Sequence, residues 1–243
     1  MENMNSAAKE SILPEEQAAL AAQRGEIYGF FATVFNALPD NQLAENLQNM
    51  KEGDLMSLFA VEGEQELPPE MIEGLQLLEK YALSSRAKAP EDIKNEIAAD
   101  RVCLMKGVKY DYGIKPPLES LYTESEDSFK TLTDVRDCYR EAGLDITRDA
   151  KERPDYMGIE LDFMTWLAEQ EASAWLELDE KPALSLREKQ QYFLTNHLVL
   201  WVPNYCKSMF EGAQTDFYRG IARLLAAFIL QEALQEAEKQ EDQ

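Results

Sequence analysis

Glu152-Arg153-Pro154-Asp155-Tyr156-Met157-Gly158-Ile159-Glu160-Leu161-Asp162-Phe163-Met164 is the stretch whose reading decides the fold. Pro154 opens a helical pattern with an acid directly behind it, a normal N-terminal arrangement. Plotted at about 100° per residue, the pattern from Pro154 to about Leu178 is apolar over most of its circumference. Trp166, Ile159, Phe163 and Leu167 lie on one side, and Met164, Met157 and Leu161 on the other. Asp155, Asp162 and Glu169 recur every seven residues and make one polar stripe, with Asp155 placed to meet a ligand. Glu160 and Glu171 project between the apolar flanks. A helix of that kind is central to its domain, so Glu160 is expected to be desolvated. Met157 and Met164, with Phe163 and Trp166, could line an adaptable groove, although core packing is the commoner use of such residues.

The rest of the chain is also helical in character. Gly and Pro are sparse among its 243 residues, and 45% of them are hydrophobic. That is enough for one substantial core. A helix starts at Pro14 and carries Ile27, Phe30, Phe31, Val34 and Phe35 to about Leu38. Others are expected through Met71 to Tyr81, from Pro90 to a Gly107 cap, from Asp134 to Gly143, and from Leu184 to Trp201, where Val202-Pro203 breaks the pattern. A last helix runs from about Ala213 to Glu238. On the Pro90 helix, Asp100 shares an apolar stripe with Ile93, Ile97 and Leu104. Such a carboxylate must be paired, protonated or awaiting a partner. Residues 108–118, with Tyr110, Tyr112, Pro116 and Pro117, read as a loop. Linkers or hinges are expected at Ser84–Pro90, Thr123–Ser128 and Asp145–Arg153.

The formal net charge is -22. Nucleic acid and anionic membrane surfaces are therefore poor partners, and a cationic one would be attracted. No apolar stretch is long enough to span a membrane, and no signal peptide is expected ahead of the first helix. The three cysteines have no metal or redox spacing, which fits a reducing, cytoplasmic compartment. No phosphate cradle or nucleophile elbow is present. His197 is the only histidine and lies on an apolar stripe with Leu194 and Trp201, which suits a hydrogen-bonded core residue. Asp100 with Glu160 is the one acid pair that could do general acid–base work. The milder reading is two core carboxylates with satisfied hydrogen bonds. An apolar groove ringed by carboxylates would suit a segment that joins positive charge to a hydrophobic run, as a signal peptide does.

Four motifs, in order, resemble those of the TorD/DmsD/NarJ family of cytoplasmic chaperones. They are Asp100-Arg101-Val102-Cys103-Leu104-Met105-Lys106-Gly107, Pro116-Pro117-Leu118-Glu119-Ser120-Leu121-Tyr122, the opening stretch itself, and His197-Leu198-Val199-Leu200-Trp201-Val202-Pro203. The family pattern has histidine where Tyr156 stands, phenylalanine for Met105, an aromatic for Arg101 and tyrosine for Leu118. The resemblance implies an all-α, single TorD-like helical domain of about ten helices, with a flexible segment at 1–20, the chaperone domain at 21–232 and an acidic tail at 233–243. It implies a chaperone and not an enzyme, with no cofactor of its own. Its partners would be the twin-arginine leader and the apo-catalytic subunit of a molybdenum-containing redox enzyme, and a domain-swapped homodimer is open to it. Asp100, Asp155 and Glu160 would face the leader's arginines. Leu104, Met105, Pro116 and Pro117 would accept its apolar run, and Glu119, Tyr122, Pro154 and Tyr156 would complete the peptide site. An acid–base enzyme and a plain acidic adaptor remain the alternatives.

Overall fold

The computed structural model describes residues 13–51, 53–60, 67–106, 113–123, 128–144 and 153–241. The described elements are α1 (Pro14–Asn36), α2 (Asn41–Asn49), α3 (Asp54–Phe59), α4 (Pro69–Ser85), α5 (Pro90–Met105), a 3-10 turn (Glu119–Leu121), α6 (Ser128–Glu141), α7 (Met157–Leu176), α8 (Glu180–Phe193), a π turn (Leu194–Leu198), α9 (Val199–Gly212) and α10 (Asp216–Glu241). The domain is all-α, and one continuous core takes in side chains from Ile27 to Ile229.

Two helix pairs organise it. α1 and α7 lie antiparallel: Gly25 meets Ala168, Gly29 meets Thr165, and Asn36 meets Gly158. Small residues at the seam let the backbones approach. A Cβ on Gly158 would overlap the Asn36 side chain, whose amide donates to Gly158 O (3.1 Å) and to Asp162 Oδ2 (2.7 Å). In the second pair, α4 crosses α10 at Gly74 and Gly220. A Cβ on Gly74 would sit 2.7 Å from Leu224 Cγ, and one on Gly220 would sit 2.8 Å from Gly74 O.

Several expectations are met within this frame. Ile93, Ile97, Asp100 and Leu104 share a buried face of α5. Glu160 and Glu171 are buried on α7. Gly143 takes a left-handed conformation (φ 82°) after α6, and His197 is a buried core residue.

Others are corrected. α7 begins at Met157 and not at Pro154, because the backbone of residues 155–157 is paired elsewhere. Asp155 therefore precedes the helix and is not on the stripe of Asp162 and Glu169, both of which are exposed. Met157 and Met164 are fully packed and line no groove. Pro203 lies inside α9 and breaks nothing. The π turn directly upstream already resets the hydrogen-bond ladder, which accommodates the missing N–H and the ring. The Ser84–Pro90 linker is a tight four-residue connection pinned by Gln48, whose amide donates to Ser85 O and Lys88 O. α1 begins at Pro14, where the sequence places a helix start, and buries Ala18. α10 carries helix to Glu241 through the expected tail. Gly107, Tyr110, Tyr112 and Glu152 lie outside the described residues, as do 124–127 and 145–152 of the expected hinges.

Candidate functional site

The turn before α7 is held by the Pro116–Leu121 segment. Met157 N–H donates to Pro117 O (3.0 Å) and Glu119 N–H donates to Asp155 O (2.9 Å). Leu118 and Tyr156 form an isolated antiparallel bridge. From α6, the Tyr139 hydroxyl donates to Pro154 O (2.9 Å). Two motifs far apart in sequence thus become one piece of backbone, with Pro117 and Pro154 buried in it and Pro116 half-buried.

Asp155 is fully buried. Arg153 straddles it, donating from Nε to Oδ1 (2.9 Å) and from Nη2 to Oδ2 (3.0 Å). Ser120 N–H donates to Oδ2 (3.2 Å). The carboxylate expected to be open to a ligand is already occupied by the chain's own guanidinium, because a buried carboxylate without a cation is costly.

Tyr156 has a structural contact of its own. Its hydroxyl donates to Phe35 O (2.7 Å), a carbonyl of the last turn of α1 that Arg101 also reaches. A cation and a hydroxyl at the negative end of a helix satisfy a carbonyl left without an intrahelical partner.

Behind this turn is a buried network built from the 3-10 turn, α6, α7 and the continuous rod of α8, the π turn and α9. Glu119 faces His197 Nδ1 at 3.1 Å from both carboxylate oxygens. The other ring nitrogen lies 3.6 Å from Cys138 Sγ, and the ring stacks on Phe193. Trp201 Nε1 donates to Glu160 Oε2 (3.0 Å), while Glu160 Oε1 is buried without a hydrogen-bond partner. Burial, and then the Glu119 carboxylate beside it, push the Glu160 carboxyl well above its usual range. A proton on Glu160 removes one of two adjacent buried charges. Cysteine, histidine and carboxylate in line are the parts of a nucleophilic triad. Here, however, burial and then the carboxylates of Glu141, Glu119, Asp134 and Asp137 push the Cys138 thiol up to about 11. It stays a thiol at neutral pH, and this network serves to hold α6, α7 and the rod together.

Asp100 and Glu160 belong to different networks. Asp100 accepts from Gln214 N (3.1 Å), Thr215 N (2.8 Å) and Thr215 Oγ1 (2.7 Å). Thr215 in turn caps α10 by accepting from Tyr218 N (3.3 Å). Asp100 anchors the start of α10, and the carboxyl that pairs with Glu160 is Glu119. Leu104 and Met105 are core residues and present no surface to a peptide. Among the described residues, no cluster of three His, Cys, Asp or Glu side chains could hold a metal ion.

An open pocket of about 480 Å³ lies between residues 113–122 and α9, lined by Gly113, Ile114, Lys115, Tyr122, Ser208, Glu211 and Gly212. Tyr122 packs on Trp201 and Tyr205, and its hydroxyl donates to Lys115 O (2.8 Å). Of the residues expected to bind peptide, Tyr122 alone lines this pocket. Sequence reasoning missed Ile114, Ser208 and Glu211. Ser208 and Glu211 follow Pro203 on a helix expected to have ended, which hid them.

The family model "nitrate reductase delta subunit" matches residues 64–207, more than half of the chain. The chain belongs to that family. Similarity to individual proteins extends further along the sequence. "Chaperone protein TorD" of Vibrio atlanticus is 26% identical over 216 residues, covering 88% of this chain and 94% of that protein. The TorD chaperone of Photobacterium profundum is 28% identical over the same shares. That of Vibrio cholerae is 26% identical over 90% of this chain and 94% of its own length. The family read from the four motifs is thus the one that the comparisons give.

Proposed function

We propose that this chain is a cytoplasmic chaperone that assists the maturation of a molybdenum-containing redox enzyme, by binding its twin-arginine leader and its apo form before export. The observation that carries the proposal is the near full-length similarity to proteins named TorD chaperones. Composition supports it, since a net charge of -22 favours a cationic segment. No described helix is long and apolar enough to cross a membrane.

The pocket beside α9 supplies a place for the leader. Ile114 and the Tyr122 ring offer apolar surface, and the exposed Glu211 offers a carboxylate at its edge. A hydrophobic run flanked by arginine needs both. Binding without chemistry suffices: it shields the apolar run until the enzyme is loaded. A homodimer is part of the same reading, and light scattering on the purified protein would detect it.

The test fills the pocket. Ser208 is half-buried on α9, and Ser208→Trp would occupy the space without entering the core. It is expected to weaken calorimetric binding of a leader peptide at least about tenfold, equivalent to about 1.4 kcal/mol. Unchanged affinity in a folded Ser208→Trp protein would move the leader elsewhere.

A further inference from the structure

We propose that Glu160 is a positioning residue for the pocket beside α9. In its protonated form it holds the Tyr122 wall in place through Trp201 and Glu119, and loss of the proton loosens that wall and weakens the bound segment. The inference rests on the pocket reading above and names its regulation.

Two routes run from one buried carboxyl to one ring. Through α9, Trp201 Nε1 donates to Glu160 Oε2 (3.0 Å), and the Trp201 ring packs on that of Tyr122 with centroids 5.9 Å apart. Through the 3-10 turn, Glu119 is the carboxylate beside Glu160, and Tyr122 N–H donates to Glu119 O (2.9 Å). Tyr122 then lines the pocket. Glu160 and Glu119 are 0% and 2% exposed, so both act only through what they hold.

The proton has a defined place. Glu160 Oε1 receives no donor. As the protonated oxygen it donates instead, and the Glu119 carboxylate is the acceptor at hand. That bond joins α7 to the 3-10 turn, which His197 Nδ1 ties to the π turn (3.1 Å from Glu119 Oε1). Removing the proton sets two buried negative charges against each other and turns attraction into repulsion. The other groups facing the pair offer little relief. Asp155, in the turn before α7, is a further carboxylate, and its cation Arg153 is already in use. On α6, Tyr139 spends its hydroxyl on Pro154 O and Cys138 stays a thiol. α7 is packed along its length against α1, whereas the 3-10 turn is three residues long. The turn is the element to yield, and Tyr122 follows it directly.

Affinity follows the fraction of molecules that hold the proton, so it should fall by up to about tenfold for each pH unit above the folded-state pKa of Glu160. The experiment is calorimetric titration of wild type, Glu160→Gln and Glu119→Gln, in steps from mildly acidic to alkaline pH. The probe is an N-acetylated peptide with paired arginines before an apolar run and no other titrating side chain. Wild type should lose affinity as the pH rises. Glu160→Gln fixes the uncharged form, still donates toward Glu119, and should lose much less. It retains His197, Lys115 and every other titrating group, so the difference between the two profiles belongs to Glu160. Glu119→Gln removes the charge that opposes ionisation of Glu160, so its loss should set in at lower pH. Parallel profiles for wild type and a folded Glu160→Gln overturn the proposal. If Glu160→Gln does not fold, an unmoved profile in Glu119→Gln overturns it instead.

NMR of the peptide-free protein separates this proposal from the broader one. In wild type the Trp201 indole N–H and the Tyr122 ring resonances should shift together as the pH rises, and in Glu160→Gln both should hold still. If this is seen but the peptide binds no protein at any pH, the positioning of Tyr122 stands and the leader reading falls. If Tyr122 does not follow Trp201, the proposal falls whatever the peptide does.

Discussion

Asp100→Asn separates two roles that the sequence left open. As a ligand group, Asp100 could lose its charge without cost to the fold. The structure makes it the anchor of α10, with three donors converging on a carboxylate that is 1% exposed. Asparagine keeps one acceptor oxygen, enough for Thr215 N–H and its hydroxyl. Its amide group then faces the Gln214 N–H, donor against donor. Losing one charge-assisted bond and stranding one partly buried N–H costs about 2 kcal/mol. Asp100→Ala strands all three donors and costs about 4 kcal/mol by the same reasoning. In a chain of this size, 2 kcal/mol lowers Tm by about 4–8 °C. Circular-dichroism melts of both variants, with leader calorimetry well below their melting temperatures, separate the roles. The expected result is lowered Tm in the order Asn, then Ala, with leader affinity intact. A Tm within about 1 °C of wild type together with lost leader affinity would refute the anchoring role.

Three further outcomes follow from the packing and the buried charges. Gly74→Ala would press a methyl to 2.7 Å from Leu224 Cγ and 2.9 Å from Leu224 N; it is expected to cost about 1–3 kcal/mol in urea unfolding. Leu178 has φ 59° and is 75% exposed at the end of α7, so Leu178→Gly should stabilise by about 1 kcal/mol, seen as a higher urea midpoint. Glu160 has a folded-state pKa raised well above 4.5 by burial first and Glu119 second. The folded state then holds a proton that the unfolded chain has released. Its contribution to stability is full below the unfolded pKa and is lost as pH rises from there through the folded pKa. Glu160→Gln keeps an acceptor for Trp201 and carries no titrating proton. Its urea midpoint should therefore fall less than that of wild type as pH rises above about 5, and parallel profiles would contradict a protonated Glu160.

Much of the fold was legible because apolar periodicity reports burial directly. The α5 stripe, the buried acids of α7 and the core position of His197 all follow from residue spacing. The class of the domain followed from composition and from four ordered motifs, which the family match bears out. The site was legible only as a set of residues. A seven-residue repeat could be extended backwards from Asp162 to Asp155, but the chain leaves the helix at Tyr156 to pair with Leu118. That pairing joins residues 38 positions apart, and nothing local encodes it. Conversely, Asp100 and Glu160 look alike on their stripes. Their partners, Thr215 and Trp201, come from later helices, so only the packed chain shows that one caps a helix and the other neighbours Glu119. Pro203 misled for a local reason: its effect depends on the π turn before it, which has no sequence marker.

The central claim is tested most directly by calorimetric titration of the wild-type protein with a twin-arginine leader peptide and with its lysine counterpart. Binding of the arginine peptide, weakened at least about tenfold when both arginines become lysine, is the expected result. No binding of either peptide, or equal binding of both, would contradict a chaperone that recognises the leader.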